Sequence, residues 1–158
     1  MLGKRVLITG CGPIGILCVL ISRRAGAAEI VTTDLTSFTL DMAARCGADH
    51  TLNTRENPDA LVPYGADKGY FDVLFECTGV AAALSAAIPA LRPCAVIAQL
   101  GLGGDMQIPM QALTAKELQL RGSFRFHEEF FTGVELMQKG LIARRDARSK
   151  AQNKDDFM

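Results

Sequence analysis

The sequence lacks the features that mark several classes of protein. Its 17 Lys and Arg residues balance its 17 Asp and Glu residues, so the formal net charge is zero. A neutral chain gives no reason to expect nucleic acid or an anionic membrane as a partner. No apolar run approaches the ~20 residues of a membrane-spanning helix, and residues 1–4 do not have the layout of a signal peptide. We therefore expect a cytoplasmic protein.

Metal-ligating and disulfide patterns are also missing. There are five cysteines, an odd number, and no pair has Cys-x-x-Cys spacing. Cys18 is predicted on a helical face and Cys77 at the end of a strand, which is typical of small buried apolar residues. The two histidines, His50 and His127, have no further ligand at metal spacing. We expect no metal site and no disulfide in this chain.

A glycine-rich turn follows the first apolar run of the sequence. Residues 4–9 are strand-like, and they lead into Gly10, Gly12 and Gly15 at G-x-G-x-x-G spacing before a helix-like segment. Gly10 suits a tight turn, Gly12 has no side chain to keep a pyrophosphate away, and Gly15 allows the helix to pack closely. Pro13 suits the first helical turn. This combination predicts a dinucleotide site with the diphosphate at the helix N-terminus.

An acidic residue, Asp34, ends the second strand-like run. A carboxylate at this place accepts hydrogen bonds from ribose hydroxyls and repels a 2′-phosphate. No Arg or Lys stands between Asp34 and Arg45, so we predict NAD rather than NADP as the cofactor. The alternative that stays open is that Asp34 only caps the next helix.

Strand-like and helix-like segments alternate along the whole chain. This alternation predicts an α/β fold, a doubly wound parallel sheet of the Rossmann type with about six strands and helices on both faces. The dinucleotide-binding domain is predicted over residues 1–142, and residues 143–158, which have no apolar period, as a disordered tail. The predicted strands are 4–9, 29–33, 50–52, 71–76, 95–100 and 117–123. The predicted helices are 13–25, 36–46, 81–91 and one marked by Phe130, Val134 and Met137. Residues 53–69 are predicted as a loop with at most a short helix.

Several motifs are similar to the cofactor domain of zinc-dependent medium-chain dehydrogenases. They are GKRVLITGCGPIG, TTDLT, FDVLFECTG, QLGLGG and KELQLRGSFRF, and the similarity covers roughly residues 2–142. Within this family the chain resembles most the sorbitol dehydrogenase branch, and there the L-idonate 5-dehydrogenases. The resemblance implies oxidation of a secondary alcohol of a polyol or sugar acid by hydride transfer to NAD.

The resemblance also implies roles for single positions. Leu35 and Thr78 would flank the adenine, and Ile14 would press on the nicotinamide side. Arg125 would reach a ribose or phosphate oxygen, although it could also be a solvated arginine. Ile14, Leu100 and Leu102 could instead be core residues. The other implied cofactor contacts are Cys77, Gly79, Leu100, Gly101, Leu102, Ser123 and Phe124.

The chain departs from the family pattern in three respects. Thr39 stands where this branch usually has a basic residue, and Cys94-Ala95 replaces two glycines, so that turn must be made differently. The preceding catalytic domain with the Cys, His and Glu zinc ligands is not in this sequence. We therefore expect cofactor binding without catalytic residues or turnover, with a homo-oligomer left open. A non-enzymatic NAD-sensing module and a nonfunctional gene fragment are the alternative interpretations.

Overall fold

A parallel six-stranded sheet organises the part of the chain that is described, residues 1–126 and 128–142 of a computed structural model. Its strands are β1 (Arg5–Thr9), β2 (Glu29–Asp34), β3 (His50–Asn53), β4 (Phe71–Glu76), β5 (Leu91–Gln99) and β6 (Gln119–Gly122). They lie in the order β3-β2-β1-β4-β5-β6, and each neighbouring pair is parallel. The order reverses between β1 and β4. This confirms the predicted doubly wound fold and places the topological switch point beside β1.

Helices cover both faces of the sheet. The helices are α1 (Pro13–Arg24), α2 (Ser37–Cys46), α3 (Ala81–Ala87), α4 (Met110–Ala115) and α5 (Glu129–Gln138). The first four supply side chains to the buried clusters, whereas α5 has no buried residue. Successive strand residues point to opposite faces, and β1 shows the result. Val6 and Ile8 belong to a buried cluster with Val19 of α1, whereas Leu7 belongs to a second cluster with Leu84 of α3. Two separate cores therefore hold the sheet between helical layers.

The ends of the first two helices follow the sequence signals. Pro13 is the first residue of α1 and Gly12 is its N-cap, a place where the missing proline amide costs no hydrogen bond. Thr36 is the N-cap of α2, and Gly47 follows its last residue with a φ of 112°. Glycine adopts this left-handed conformation without the penalty of a Cβ atom. Both helices confirm the prediction.

Two elements near the middle of the chain differ from the prediction. The helix predicted over 81–91 ends at Ala87 and continues as a 3-10 turn over Ile88–Ala90, because Pro89 cannot donate the amide that an α-helix requires. β5 therefore begins at Leu91. Helix α4 lies where no element was predicted, since six residues are too few to show a helical period. The segment 53–69, by contrast, agrees with the prediction of a loop with at most a short helix, since it contains the short 3-10 segment Val62–Lys68.

The C-terminal segment was predicted as a disordered tail, but residues 143–158 lie outside the described residues, and so does His127. The domain boundary at residue 142 stays a prediction. Among the residues that are described, no helix combines the length and the apolar character needed to cross a membrane.

Cys94 makes a turn inside β5 that glycine would make more easily. Its φ is 62°, in the left-handed region, and its amide donates to the carbonyl of Lys116 at 2.8 Å. The sequence led us to expect a different turn, since Cys94-Ala95 replaces two glycines there. The backbone of Cys94 instead adopts the glycine-like conformation itself, at the steric cost that a Cβ atom brings.

This backbone strain can be measured by substitution. We expect Cys94→Gly to be more stable than Cys94→Ala by about 1 kcal/mol, because only glycine removes the left-handed penalty. The gain is reduced by the larger conformational entropy of glycine in the unfolded chain. Urea unfolding of the two variants gives the difference. Cys94→Ala is the control for loss of the thiol, and equal unfolding midpoints would contradict a strained Cys94.

Candidate dinucleotide site

A cavity of about 580 Å³ lies at the carboxyl ends of the strands, beside the switch point. The glycine turn, the end of β2 and the start of α3 enclose it. Ligands of open α/β sheets bind at this position because the loops that leave adjacent strands diverge there. The residues that line it are Thr9, Gly10, Gly12, Thr33, Asp34, Leu35, Thr54, Pro58, Leu61, Cys77, Thr78, Val80, Ala82, Ala83 and Ala86.

The three glycines of the turn have different surroundings. Gly10 has a φ of +83°, and a Cβ atom there would lie 2.8 Å from Cγ2 of Thr78. A Cβ atom at Gly15 would collide with the carbonyl oxygen of Gly10, so this glycine lets α1 pack against the turn. A Cβ atom at Gly12 would meet no protein atom within 4 Å. Gly12 also lines the cavity, so the space that a side chain would fill is open to a ligand.

The Asp34 carboxylate faces the same cavity and is held by backbone amides. Its Oδ2 accepts from the amide of Cys11 at 2.6 Å, and its Oδ1 accepts from the amides of Leu35 and Thr36 at 2.7 and 3.1 Å. Burial raises the pKa of this carboxyl, but hydrogen bonds from these amides and from the Thr39 side chain outweigh it, so the pKa lies below its ordinary value. Asp34 is therefore ionised at neutral pH.

A second carboxylate, that of Glu76 at the end of β4, is fully buried beneath the site. Its Oε1 accepts from the amide of Thr78 at 2.8 Å, from the Thr78 hydroxyl and from the Thr9 hydroxyl at 3.3 Å. Its Oε2 accepts from the amide of Gly79 at 3.0 Å and from the side-chain amide of Gln99. One side chain thus joins the ends of three neighbouring strands.

The loops that follow β4 and β5 are in backbone contact with each other. The amides of Leu100 and Gly101 both donate to the carbonyl of Glu76 at 2.9 Å. A Cβ atom at Gly79 would lie 2.6 Å from the carbonyl carbon of Leu102, and one at Gly101 would collide with the amide of Gly79. Gly79 and Gly101 were predicted as cofactor contacts. The close approach of the two loops requires glycine at both positions whether or not they contact a cofactor.

The structure separates the predicted site residues into two groups. Six of them line the cavity: Gly10, Gly12, Asp34, Leu35, Cys77 and Thr78. Ten lie outside its lining: Pro13, Ile14, Gly15, Gly79, Leu100, Gly101, Leu102, Ser123, Phe124 and Arg125. Most of the second group lies in segments that follow β5 and β6, and their contact with a nicotinamide stays a prediction.

Six residues of the outer group are exposed, whereas its three glycines are buried. Ile14 is 49% exposed and Leu102 is 76% exposed, so neither is a core residue. Leu100 is half-buried against the cluster that contains α1. The amide of Ser123 donates to the carbonyl of Gln99 at 3.0 Å, which fixes the start of the segment after β6. The guanidinium of Arg125 lies 5.0 Å from the centre of the Phe124 ring.

Sequence reasoning missed the apolar wall of the cavity. Thr9 and Thr33 could have been found, because Thr9 ends β1 and Thr33 is the last residue but one of β2, at the edge where ligands of such sheets bind. The remaining wall comes from the segment after β3 and from α3, which no motif marked. The missed residues are Thr9, Thr33, Thr54, Pro58, Leu61, Val80, Ala82, Ala83 and Ala86.

Cysteine and histidine side chains do not assemble into a metal centre in the part of the chain that the structure describes. No group of three or more His, Cys, Asp or Glu side chains within residues 1–126 and 128–142 could hold a metal ion. Cys11, Cys18 and Cys46 are buried, Cys77 is half-buried and Cys94 is exposed. These described residues do not fit a catalytic zinc, which needs about three protein ligands.

The fold and the glycine turn together define a Rossmann-type α/β domain. Residues 13–139 match the model of the zinc-binding dehydrogenase family, and the chain belongs to this family. Its members named below are dehydrogenases, so the family is one of oxidoreductases. The resemblance inferred from the sequence motifs is confirmed.

Two curated relatives and one solved structure illustrate the similarity. The chain is 43% identical over 141 residues to L-idonate 5-dehydrogenase (NAD(P)(+)) of Escherichia coli, which covers 89% of this chain and 40% of the relative. It is 37% identical over 131 residues to sorbitol dehydrogenase of Macaca fascicularis, a match that covers 79% of this chain and 36% of the relative. The crystal structure of E. coli L-idonate 5-dehydrogenase superimposes with a TM-score of 0.85 and 42% identity. The match covers 90% of this chain and 41% of that structure's chain. The chain thus spans well under half the length of these relatives.

Glu76 is expected to be sensitive to an isosteric change. In Glu76→Gln, the new NH₂ group must face the amide of Thr78 or that of Gly79, so one donor faces another. We expect a loss of about 1–3 kcal/mol in the free energy of unfolding, measured by urea denaturation.

Glu56→Gln is the matched control for this change. Glu56 is exposed, and its Oε1 accepts from the Asn53 side chain at 2.8 Å, which a glutamine oxygen can also do. We expect a change within about 0.5 kcal/mol for this surface substitution. If both variants unfold at the same urea concentration, Glu76 does not hold the strand ends together.

Proposed function

We propose that this domain binds NAD(H) in the cavity and serves as the cofactor domain of a zinc-type polyol or sugar-acid dehydrogenase. The observation that carries the proposal is the convergence of Gly12 and Asp34 on one cavity. An open glycine at a helix N-terminus fits a pyrophosphate, and an ionised carboxylate at the end of β2 fits ribose hydroxyls. The Asp34 carboxylate accepts a hydrogen bond from the amide of Cys11, the residue that directly precedes Gly12.

The rest of the cavity fits an adenine ring. Much of the cavity lining is apolar, with Pro58, Leu61, Val80 and Ala83 among its residues. Concave, mostly apolar pockets with a few polar groups are typical of small-molecule sites. Leu35 and Thr78 line the same cavity, which supports their assignment as the residues that flank the base.

The nicotinamide half of the cofactor is assigned to the segments after β5 and β6. When bound, the cofactor supplies the hydride acceptor for oxidation of a secondary alcohol. Leu100, Gly101 and Leu102 would lie along the nicotinamide and its ribose, with Ile14 opposite. The backbone of Ser123 and Phe124 would bind the carboxamide, and Arg125 would reach a ribose or phosphate oxygen.

The substrate class follows from the relatives and concerns a longer protein. The names of two relatives contain L-idonate and sorbitol, so a polyol or sugar acid is the proposed substrate. The described residues do not fit the zinc that such an oxidation uses, and no step of the alcohol chemistry is assigned to them. A homo-oligomer and a cytoplasmic location stay predictions.

Preference for NADH over NADPH tests the assignment of Asp34. We expect NADH to bind more tightly, because the ionised carboxylate would repel a 2′-phosphate and Thr39 offers no positive charge to it. Fluorescence titration of the chain with each cofactor measures the two dissociation constants. Equal affinities, or tighter NADPH binding, would contradict the proposed position of the ribose.

Gly12→Val tests whether the pyrophosphate occupies the open side of the turn. The backbone of Gly12 has a φ of −65°, which valine can adopt, and a Cβ atom meets no protein atom. We expect the fold to persist, with a cost of about 1 kcal/mol for a poor N-cap residue, and NADH binding to be lost.

Gly133→Val in α5 is the control for Gly12→Val. A Cβ atom at Gly133 also meets nothing within 4 Å, and this residue does not line the cavity. We expect its NADH affinity to equal that of the unaltered chain. If Gly12→Val binds NADH as tightly as Gly133→Val, the phosphate site has been placed wrongly.

A further inference from the structure

The Asp34 carboxylate connects two backbone segments rather than standing free in the cavity. Its Oδ2 accepts from the Cys11 amide of the glycine turn. Its Oδ1 accepts from the amides of Leu35 and Thr36, which connect β2 to α2. The Thr36 hydroxyl also donates to Oδ1 at 3.2 Å. Both oxygens therefore already accept hydrogen bonds without a ligand.

The Cys11 bond is one of three contacts that bind the glycine turn to the end of β2. The amide of Gly10 donates to the carbonyl of Thr33 at 2.8 Å, and the Cys11 thiol lies 3.7 Å from the same carbonyl. Cys11 is 2% exposed, so its side chain is anchored in the core. The next residue is Gly12, whose open side faces the cavity. A shift at Cys11 would thus move the proposed phosphate site directly.

We propose that Asp34 is a positioning residue that holds the glycine turn in its phosphate-binding shape through the Cys11 amide, in addition to contacting the ribose. This inference rests on the proposed binding of NAD(H) in the cavity. It has a consequence for cofactor specificity. Replacing Asp34 removes the repulsion of a 2′-phosphate, but it also releases the turn on which both cofactors depend.

Asparagine is not a conservative replacement at this position. The side-chain amide of asparagine has one acceptor and one donor group, whereas Asp34 faces N–H groups on both sides. An asparagine would direct its NH₂ group at the Cys11 amide or at the Leu35 and Thr36 amides. Either orientation leaves donors facing donors and opens one of the two contacts.

The first experiment compares cofactor binding by Asp34→Asn, the unaltered chain and a matched control. Asp41→Asn is the control, because Asp41 is exposed on α2 and does not line the cavity. We expect Asp34→Asn to bind NADH about tenfold to a hundredfold more weakly, as for a lost charged hydrogen bond. NADPH should bind no more tightly than it does to the unaltered chain, and Asp41→Asn should match the unaltered chain for both cofactors.

A gain in NADPH affinity by Asp34→Asn would overturn the inference, because release from repulsion would then outweigh any loss of the turn. A ribose contact without a positioning role predicts this gain. The specificity change therefore separates the two roles, although both predict weaker NADH binding.

The second experiment needs no ligand, and its first measurement uses the unaltered chain. In the unaltered chain, NMR is expected to detect a scalar coupling across the hydrogen bond between the Cys11 amide nitrogen and the Asp34 carboxyl carbon. In Asp34→Asn the Cys11 amide proton should move upfield, since its charged acceptor is replaced by a neutral amide oxygen or by an NH₂ group.

The two measurements keep the inference separate from the proposed function. If the unaltered chain binds no NADH but shows the coupling, the dinucleotide assignment fails and the role of Asp34 in the turn is supported. If NADH binds but the coupling is absent and the Cys11 signal does not move in Asp34→Asn, the positioning role is overturned.

Discussion

The buried Glu76 carboxylate is the contact on which the carboxyl-terminal edge of the sheet depends. It lies at the end of β4, next to the switch point, and accepts hydrogen bonds from Thr9, Thr78, Gly79 and Gln99. A buried charge is tolerated only when such partners replace its hydration. These donors come from the ends of β1 and β5 and from the loop after β4. Glu76 therefore fixes the backbone of all three segments where they leave the sheet.

A second constraint comes from backbone approach. The loops after β4 and β5 touch at Gly79, Gly101 and Gly103, where any Cβ atom would meet backbone. The glycine turn approaches the same place, since a Cβ atom at Gly10 would press on Thr78. Asp34 then ties this turn to β2 through Cys11. The carboxylates of Asp34 and Glu76 thus have the same role. Each accepts hydrogen bonds from backbone amides that have no strand partner at the point where the strands diverge.

The sequence predicted most of the fold because its signals are local. Apolar strand runs, the proline at the start of α1 and the glycine after α2 each act within a few residues, and the structure confirms them. Helix α3 was predicted too long because the apolar run continues past Pro89 to Leu91, although the hydrogen bonding changes at the proline. At the site, the glycine turn and Asp34 were predicted by their spacing. The wall formed by α3 and the segment after β3 was not, because it is assembled across the sheet.

The sequence by itself determined the class of fold, the glycine turn, the acidic residue at the end of β2 and the family. These depend on residue types at fixed spacing. Only the tertiary structure decided that Glu76 is a buried hub, that both oxygens of Asp34 are already hydrogen-bonded, and that Cys94 adopts a left-handed backbone. Each of these depends on groups brought together across neighbouring strands, because parallel pairing aligns strand ends that lie far apart in the chain.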